Sequence, residues 1–205
     1  MLEATGLECV RGERRLFGEL SFSLKGGALL RVAGANGSGK TSLLRILCGL
    51  LAPTSGEVRW EGNSIQSLKE DYSRRLLYLG HAPAVKDDLS PVENLAIACR
   101  IAGRDAGEKE IHAALGEFGV PRTEILTRRL SQGQRRRAAL ARLLLSKSAP
   151  LWLLDEPFAA LDADAARFTE SLIAEHAARG AMVIYTTHQA AAIDGGARVI
   201  DLGAA

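Results

Sequence analysis

Apolar positions recur along the chain with two spacings, and the changes between them predict its elements. Leu20, Phe22 and Leu24 alternate with small or polar residues, and residues 28–33 form a short apolar run that ends in glycine; both predict strands. Residues 41–50 carry Leu43, Leu44, Leu47 and Leu50 at helical spacing, which predicts a helix directly after the second strand. Pro53 and Gly56 punctuate a turn into a further strand over 57–60, and 76–79 is another short apolar strand. The pattern then turns helical. Pro91 opens one helix, and Ile111, Ala114, Leu115 and Phe118 form an amphipathic stripe. Strands return at 151–154, 182–186 and 198–202, separated by a helix over 163–179. Strand and helix in alternation predict an α/β fold with a mostly parallel sheet and a helical insert in its middle third.

Composition narrows the class. A chain of 205 residues, 47% hydrophobic and 24% charged, has globular composition and the size of one domain, large enough for a core without disulfides or structural metals. The most apolar region, 138–154, is interrupted by Arg142 and Lys147, short of the roughly 20 apolar residues that a membrane span needs. The N-terminus has neither the basic nor the apolar region of an export signal, so a cytoplasmic location is expected. Cys9, Cys48 and Cys99 are scattered without ligand-like spacing and read as buried thiols. The net charge of +2 gives no argument for nucleic acid; the local basic concentration is Arg128, Arg129, Arg135, Arg136 and Arg137.

Candidate chemistry begins at the first strand-to-helix turn. Gly34-Ala35-Asn36-Gly37-Ser38-Gly39-Lys40-Thr41, followed by Ser42, matches the phosphate-loop pattern GxxxxGK[ST] between an apolar strand and an amphipathic helix. Glycines let the loop wrap phosphate, backbone N–H groups and the helix N-terminus face it, Lys40 adds a full positive charge, and Thr41 supplies a Mg²⁺ ligand. Leu151-Trp152-Leu153-Leu154 is an apolar strand ending in Asp155 and Glu156. A strand end beside the phosphate loop is where phosphoryl transfer needs carboxylates: Asp155 to hold Mg²⁺ and Glu156 to act as general base on the attacking water.

Leu130-Ser131-Gln132-Gly133-Gln134 precedes a helical stretch over 135–145, so Ser131 reads as an N-cap. Alone this is a capped helix. Beside the two preceding motifs it resembles the signature sequence of the ATP-binding-cassette family, and the resemblance extends over nearly the whole chain. It implies one cassette domain over 1–205, with a mostly parallel sheet core, an N-terminal antiparallel β part and a helical insert at about 81–149 that carries the signature. It also implies hydrolysis of Mg-ATP held between two copies of the chain, with Ser131 and Gly133 acting on the partner's nucleotide. Ala160-Leu161-Asp162 resembles the family's D-loop, and His188 resembles its switch histidine, which contacts the γ-phosphate.

Two positions depart from the family pattern. Tyr78-Leu79-Gly80-His81-Ala82-Pro83 places His81 where most members have glutamine; the imidazole either takes over that role at the metal or its water, or is a surface-loop histidine. The family stacks adenine on an aromatic residue, whereas the corresponding segment is Cys9-Val10-Arg11-Gly12, so Arg11 stacks its guanidinium instead, with Phe17 as the other candidate. The short length, residues 80–95 and the arginine-rich signature helix resemble the cytochrome c maturation ATPases, the ATP-binding subunits of a haem exporter, although Ala82 stands where that subfamily has glutamine. That resemblance implies a peripheral subunit on the cytoplasmic face of the bacterial inner membrane, docked through 82–95 under an integral membrane transporter subunit, with no nucleic acid. The alternatives are a soluble cassette ATPase working on nucleic acid or iron–sulfur assembly, with the arginines as its footprint, and a degenerate scaffold. The presence of Lys40, Glu156 and His188 speaks against the scaffold.

Overall fold

The computed structural model describes residues 1–188, 193 and 196–203. The chain opens with β1 (Leu2–Arg11), β2 (Arg14–Leu24), β3 (Leu29–Ala33), α1 (Lys40–Leu47), β4 (Ser55–Trp60) and β5 (Asn63–Ser64). The middle comprises α2 (Ile65–Leu68), α3 (Glu70–Arg74), β6 (Leu76–Leu79), α4 (Pro91–Ile101), α5 (Glu108–Glu117) and α6 (Gln132–Leu140), continued by a 3-10 turn over Ala141–Ser146. It closes with β7 (Leu151–Leu154), α7 (Ala163–Ala178), β8 (Met182–Thr186) and β9 (Arg198–Asp201).

Two sheets result: an antiparallel one in the order β2-β1-β4-β5 and a parallel one in the order β6-β7-β8-β3-β9. β7 and β8 are buried along their whole length, as expected for parallel strands covered on both faces. Their side chains alternate between two cores. Leu151, Leu153, Met182 and Ile184 join the core over α1 and the antiparallel sheet, while Trp152, Leu154, Val183 and Tyr185 join the core of the helical half. Burying an aliphatic side chain contributes about 1.5–3 kcal/mol, so both cores draw on the same two strands.

β1 escapes a simple alternation because it contains a bulge. Leu2 and Ala4 are buried, then Leu7 and Cys9, and the pairing slips between Ala4 and Leu7. Gly6 sits there at φ +57°, and Gly56 on β4 approaches so closely that a Cβ on it would lie 2.3 Å from the Gly6 carbonyl oxygen. The helix expected over 41–50 ends at Leu47: Gly49 at φ +77° takes the left-handed turn that stops it, and Leu50 is 70% exposed. The helix expected over 135–145 starts earlier, at Gln132, and tightens to 3-10 geometry from Ala141. Cys9 and Cys99 are buried and Cys48 is half-buried.

Candidate active site

β3 ends at Ala33 and delivers the chain into the phosphate loop. Gly34, at φ +138°, has no room for a side chain, because a Cβ there would lie 2.5 Å from Ser38 Oγ. Gly39, at φ +102°, is the N-cap of α1 and offers no side chain to its first turn, so the amides of that turn have no side-chain cap. Lys40 is buried, and its ammonium spans the loop, donating to the carbonyls of Gly34 at 2.8 Å and Ala35 at 3.0 Å.

β7 brings the carboxylates to the same place. Asp155 is 2% exposed and accepts from Thr41 Oγ1 at 2.7 Å and from Thr186 Oγ1 at 2.8 Å. The Asp155 amide donates to the Leu79 carbonyl at 2.8 Å, which sets the loop after β6 beside the end of β7. Glu156 occupies the left-handed region at φ +51°, a conformation that costs a non-glycine residue about 1–3 kcal/mol unless its surroundings hold it. Thr186 does part of this, accepting from the Glu156 amide at 2.8 Å. The Glu156 carboxylate faces His188: Oε2 accepts from the His188 amide at 3.2 Å, and Oε1 lies 3.3 Å from Nε2, at ion-pair distance but outside hydrogen-bonding geometry.

Between these groups lies an open cavity of about 420 Å³, lined by Asn36, Gly37, Gly39, Lys40, Thr41, Ser42, Leu16, His81, Asp155, Glu156 and His188. His81 is exposed and borders it, so the histidine after β6 faces the same space as the phosphate loop. Arg11 does not line it. It pairs with Arg14 across the β1–β2 hairpin, and Leu16, not Arg11, borders the cavity.

Ser131, Gly133 and Asp162 lie elsewhere. Ser131 caps α6, accepting from the Gln134 amide at 3.2 Å, while the Gln134 side chain accepts from the Ser131 amide at 3.0 Å. A Cβ on Gly133 would come within 3.2 Å of the Ala160 carbonyl oxygen, so the start of α6 packs on the loop before α7. Asp162 caps α7 through the Ala165 amide, at 2.9 Å, and pairs with Arg137.

Two contributors had weak signals in the sequence. Thr186 shows only as a polar residue closing a buried strand, and Arg136 only as one member of a basic cluster. Arg136 is buried beneath the site; burial lowers the pKa of its guanidinium from the ordinary value, and the charges of Asp155 and Glu156 partly oppose the shift.

The sequence family described as ABC transporter matches residues 17–159. The cytochrome c biogenesis ATP-binding export protein CcmA of Nitrosomonas europaea is 52% identical over 190 residues, 92% of this chain and 89% of that protein. Its counterpart in Aromatoleum aromaticum is 51% identical over 203 residues, covering 98% and 95%. Among solved structures, a putative ABC transporter ATP-binding protein from Pyrococcus furiosus superposes with TM-score 0.83 at 26% identity over 98% of this chain and 96% of that one. A dimeric ATP-binding cassette in a post-hydrolysis state, bound to ADP and Pi, superposes with TM-score 0.86 at 23% identity, covering 99% and 94%, and shares the fold. The chain belongs to the ABC transporter family and, within it, to the CcmA cytochrome c biogenesis ATP-binding export proteins.

Proposed function

We propose that this chain is the ATP-hydrolysing subunit of a haem exporter serving c-type cytochrome biogenesis, and that it works as a pair. The observation that carries the reading is the contact between Thr41 and Asp155 beside the Glu156 carboxylate. It puts the phosphate loop, a metal-binding pair and a candidate base around one cavity. A hydroxyl and a carboxylate are hard oxygen donors, the set Mg²⁺ prefers, and Thr186 fixes the second oxygen of Asp155. Thr41 and Asp155 would hold Mg²⁺, which would supply positive charge to offset that of the nucleotide phosphates.

In the reaction, Lys40 moves from the Gly34 and Ala35 carbonyls to phosphate oxygens. Glu156 accepts the proton of the attacking water, His188 steadies the carboxylate and reaches the γ-phosphate, and His81 orients water at the opposite wall. Arg11 meets adenine from beyond the cavity. Ser131, Gly133 and Asp162, placed away from this cavity, serve the nucleotide of a second copy; this fits the dimeric state of the structurally similar cassette. Residues 1–205 act as one domain, with the helical insert at about 81–149.

Among the described residues no helix is long and apolar enough to cross a membrane, so coupling to transport needs a membrane subunit, with this chain peripheral at the cytoplasmic face of the inner membrane. Its docking surface is a groove of about 400 Å³ that includes Ala84, Lys86, Leu89 and Asn94 from the stretch after His81, with Leu50 and Ile101 at 70% and 83% exposure. Arg74, Lys86 and Arg142 line it, and among the described residues no carboxylate does, which suits an apolar segment of the membrane subunit that carries acidic residues. Nucleic acid has no part in this reading. Arg128 and Arg135 pair with Asp88 and Asp87, Arg137 with Asp162, and Arg136 is buried, so little of the arginine cluster is free to grip phosphates.

The test is cellular. Cells whose only copy is Lys40→Ala should lose covalently haem-bearing c-type cytochromes on haem-stained gels while still making b-type cytochromes. Normal c-type levels with ATPase activity abolished would sink the export role.

A further inference from the structure

The signature helix and the catalytic carboxylate belong to different segments, and one side chain joins them. Arg136 sits one turn after Gly133 on α6 and is 4% exposed. Its four hydrogen bonds among the described residues all go to backbone carbonyls. Nη1 donates to Gly80 and His81, each at 3.2 Å, and Nη2 donates to Asp155 at 3.1 Å and Glu156 at 2.5 Å.

A buried cation bound to neutral carbonyls is an expensive way to fill a core, and an apolar side chain of similar volume would fill it at lower cost. What the guanidinium adds is geometry: a rigid planar fork, each end gripping two peptide groups. At one end is the loop that carries His81, and at the other the turn that carries Glu156. The left-handed backbone of Glu156 makes the second grip consequential. Its N–H is held by Thr186 and its C=O by Arg136, so the direction of its carboxylate depends on both.

We infer that Arg136 is a positioning residue that couples the signature helix to Glu156 and to the His81 loop, so that engagement of α6 by the partner's nucleotide sets the carboxylate for water activation. This rests on the proposed two-copy ATPase. A shift of α6 moves the fork, and the fork moves both walls of the cavity together.

The test uses the complete chain carrying Arg136→Lys, which keeps the charge but not the fork, and Arg136→Gln, which keeps N–H donors without charge. Each is also combined with Glu156→Gln. ATP affinity should stay within about twofold of the parent, while turnover falls about 10- to 100-fold, the scale of a small misplacement of a catalytic group. In the Glu156→Gln background the Arg136→Lys change should cost less than about twofold further, because both act through one carboxylate. ATP-driven dimerisation of the double variant should persist.

Wild-type turnover in Arg136→Lys, with Glu156→Gln inactive, overturns this inference alone. So does a full additional loss in the double variant. Failure of both variants to fold or bind ATP assigns Arg136 to the core and overturns it as well. Wild-type turnover in Glu156→Gln overturns the base assignment and this inference together.

Discussion

His188 meets both oxygens of Glu156, its amide 3.2 Å from Oε2 and its Nε2 3.3 Å from Oε1, so the half-exposed histidine and the nearly buried carboxylate form one unit at the cavity wall. The carboxylate is aimed into the cavity and takes no part in binding the phosphate loop. Glu156→Gln should therefore keep ATP affinity and lose turnover by about 10²- to 10⁴-fold, the usual cost of removing a general base. Phosphate release beside a nucleotide titration checks this; near-normal turnover would place the base on another group.

The separation of Ser131 and Gly133 from the cavity gives a prediction on assembly. Glu156→Gln protein should double its mass by light scattering when ATP is added and return to a monomer when ATP is removed, because two sandwiched nucleotides stabilise the pair by mass action. A mass that stays monomeric at saturating ATP, with the membrane subunit also present, would argue against the sandwich.

His81 borders the cavity as an exposed imidazole. If it orients water where most of the family has glutamine, an amide at the same position should serve too, so His81→Gln should keep ATPase activity while His81→Ala loses about 10- to 100-fold. Full turnover in His81→Ala returns the residue to an ordinary loop position.

A third histidine gives a prediction on stability. His176 is 1% exposed, stacks on Trp152 with ring centroids 3.7 Å apart, and contacts the Ala149 carbonyl oxygen through Nε2 at 3.0 Å. Burial lowers its pKa from 6.5 to about 4, against the opposing effect of the Ala149 carbonyl. Between those values the unfolded chain takes up a proton that the folded chain refuses. Stability is thus full above about pH 6.5 and declines towards pH 4, by at most about 3 kcal/mol from this group. Denaturant unfolding of His176→Gln should lose this contribution. Parallel wild-type and variant profiles would show that the imidazole does not carry the shift.

Much of the nucleotide half was legible in the sequence. The strands at 76–79, 151–154 and 182–186 have the expected bounds, because strands covered on both faces are continuous apolar runs. β1 was not read, because the bulge at Gly6 moves its buried residues from even to odd positions and breaks the alternation. The phosphate loop, Asp155, Glu156, His81 and His188 were named from motifs and order, and all border one cavity. Thr186 and Arg136 carry no such motif; each acts through backbone groups far away in the chain, a relation visible only after folding. Arg11 is named only through resemblance to a family position, and the hairpin leaves it off the cavity wall.

The alternation of β7 between two cores has a consequence for evolution and for engineering. Leu153 packs on the side of α1 and Leu154 on the side of the helices, and the next two residues are the carboxylates. A cavity cut on either side loosens the platform on which Asp155 and Glu156 stand, so the halves cannot drift apart in sequence independently. Repacking one side calls for compensation on the other, and a conservative change in the core behind the cavity, such as Leu153→Val, should be felt as a defect in catalysis before it is felt as a loss of fold.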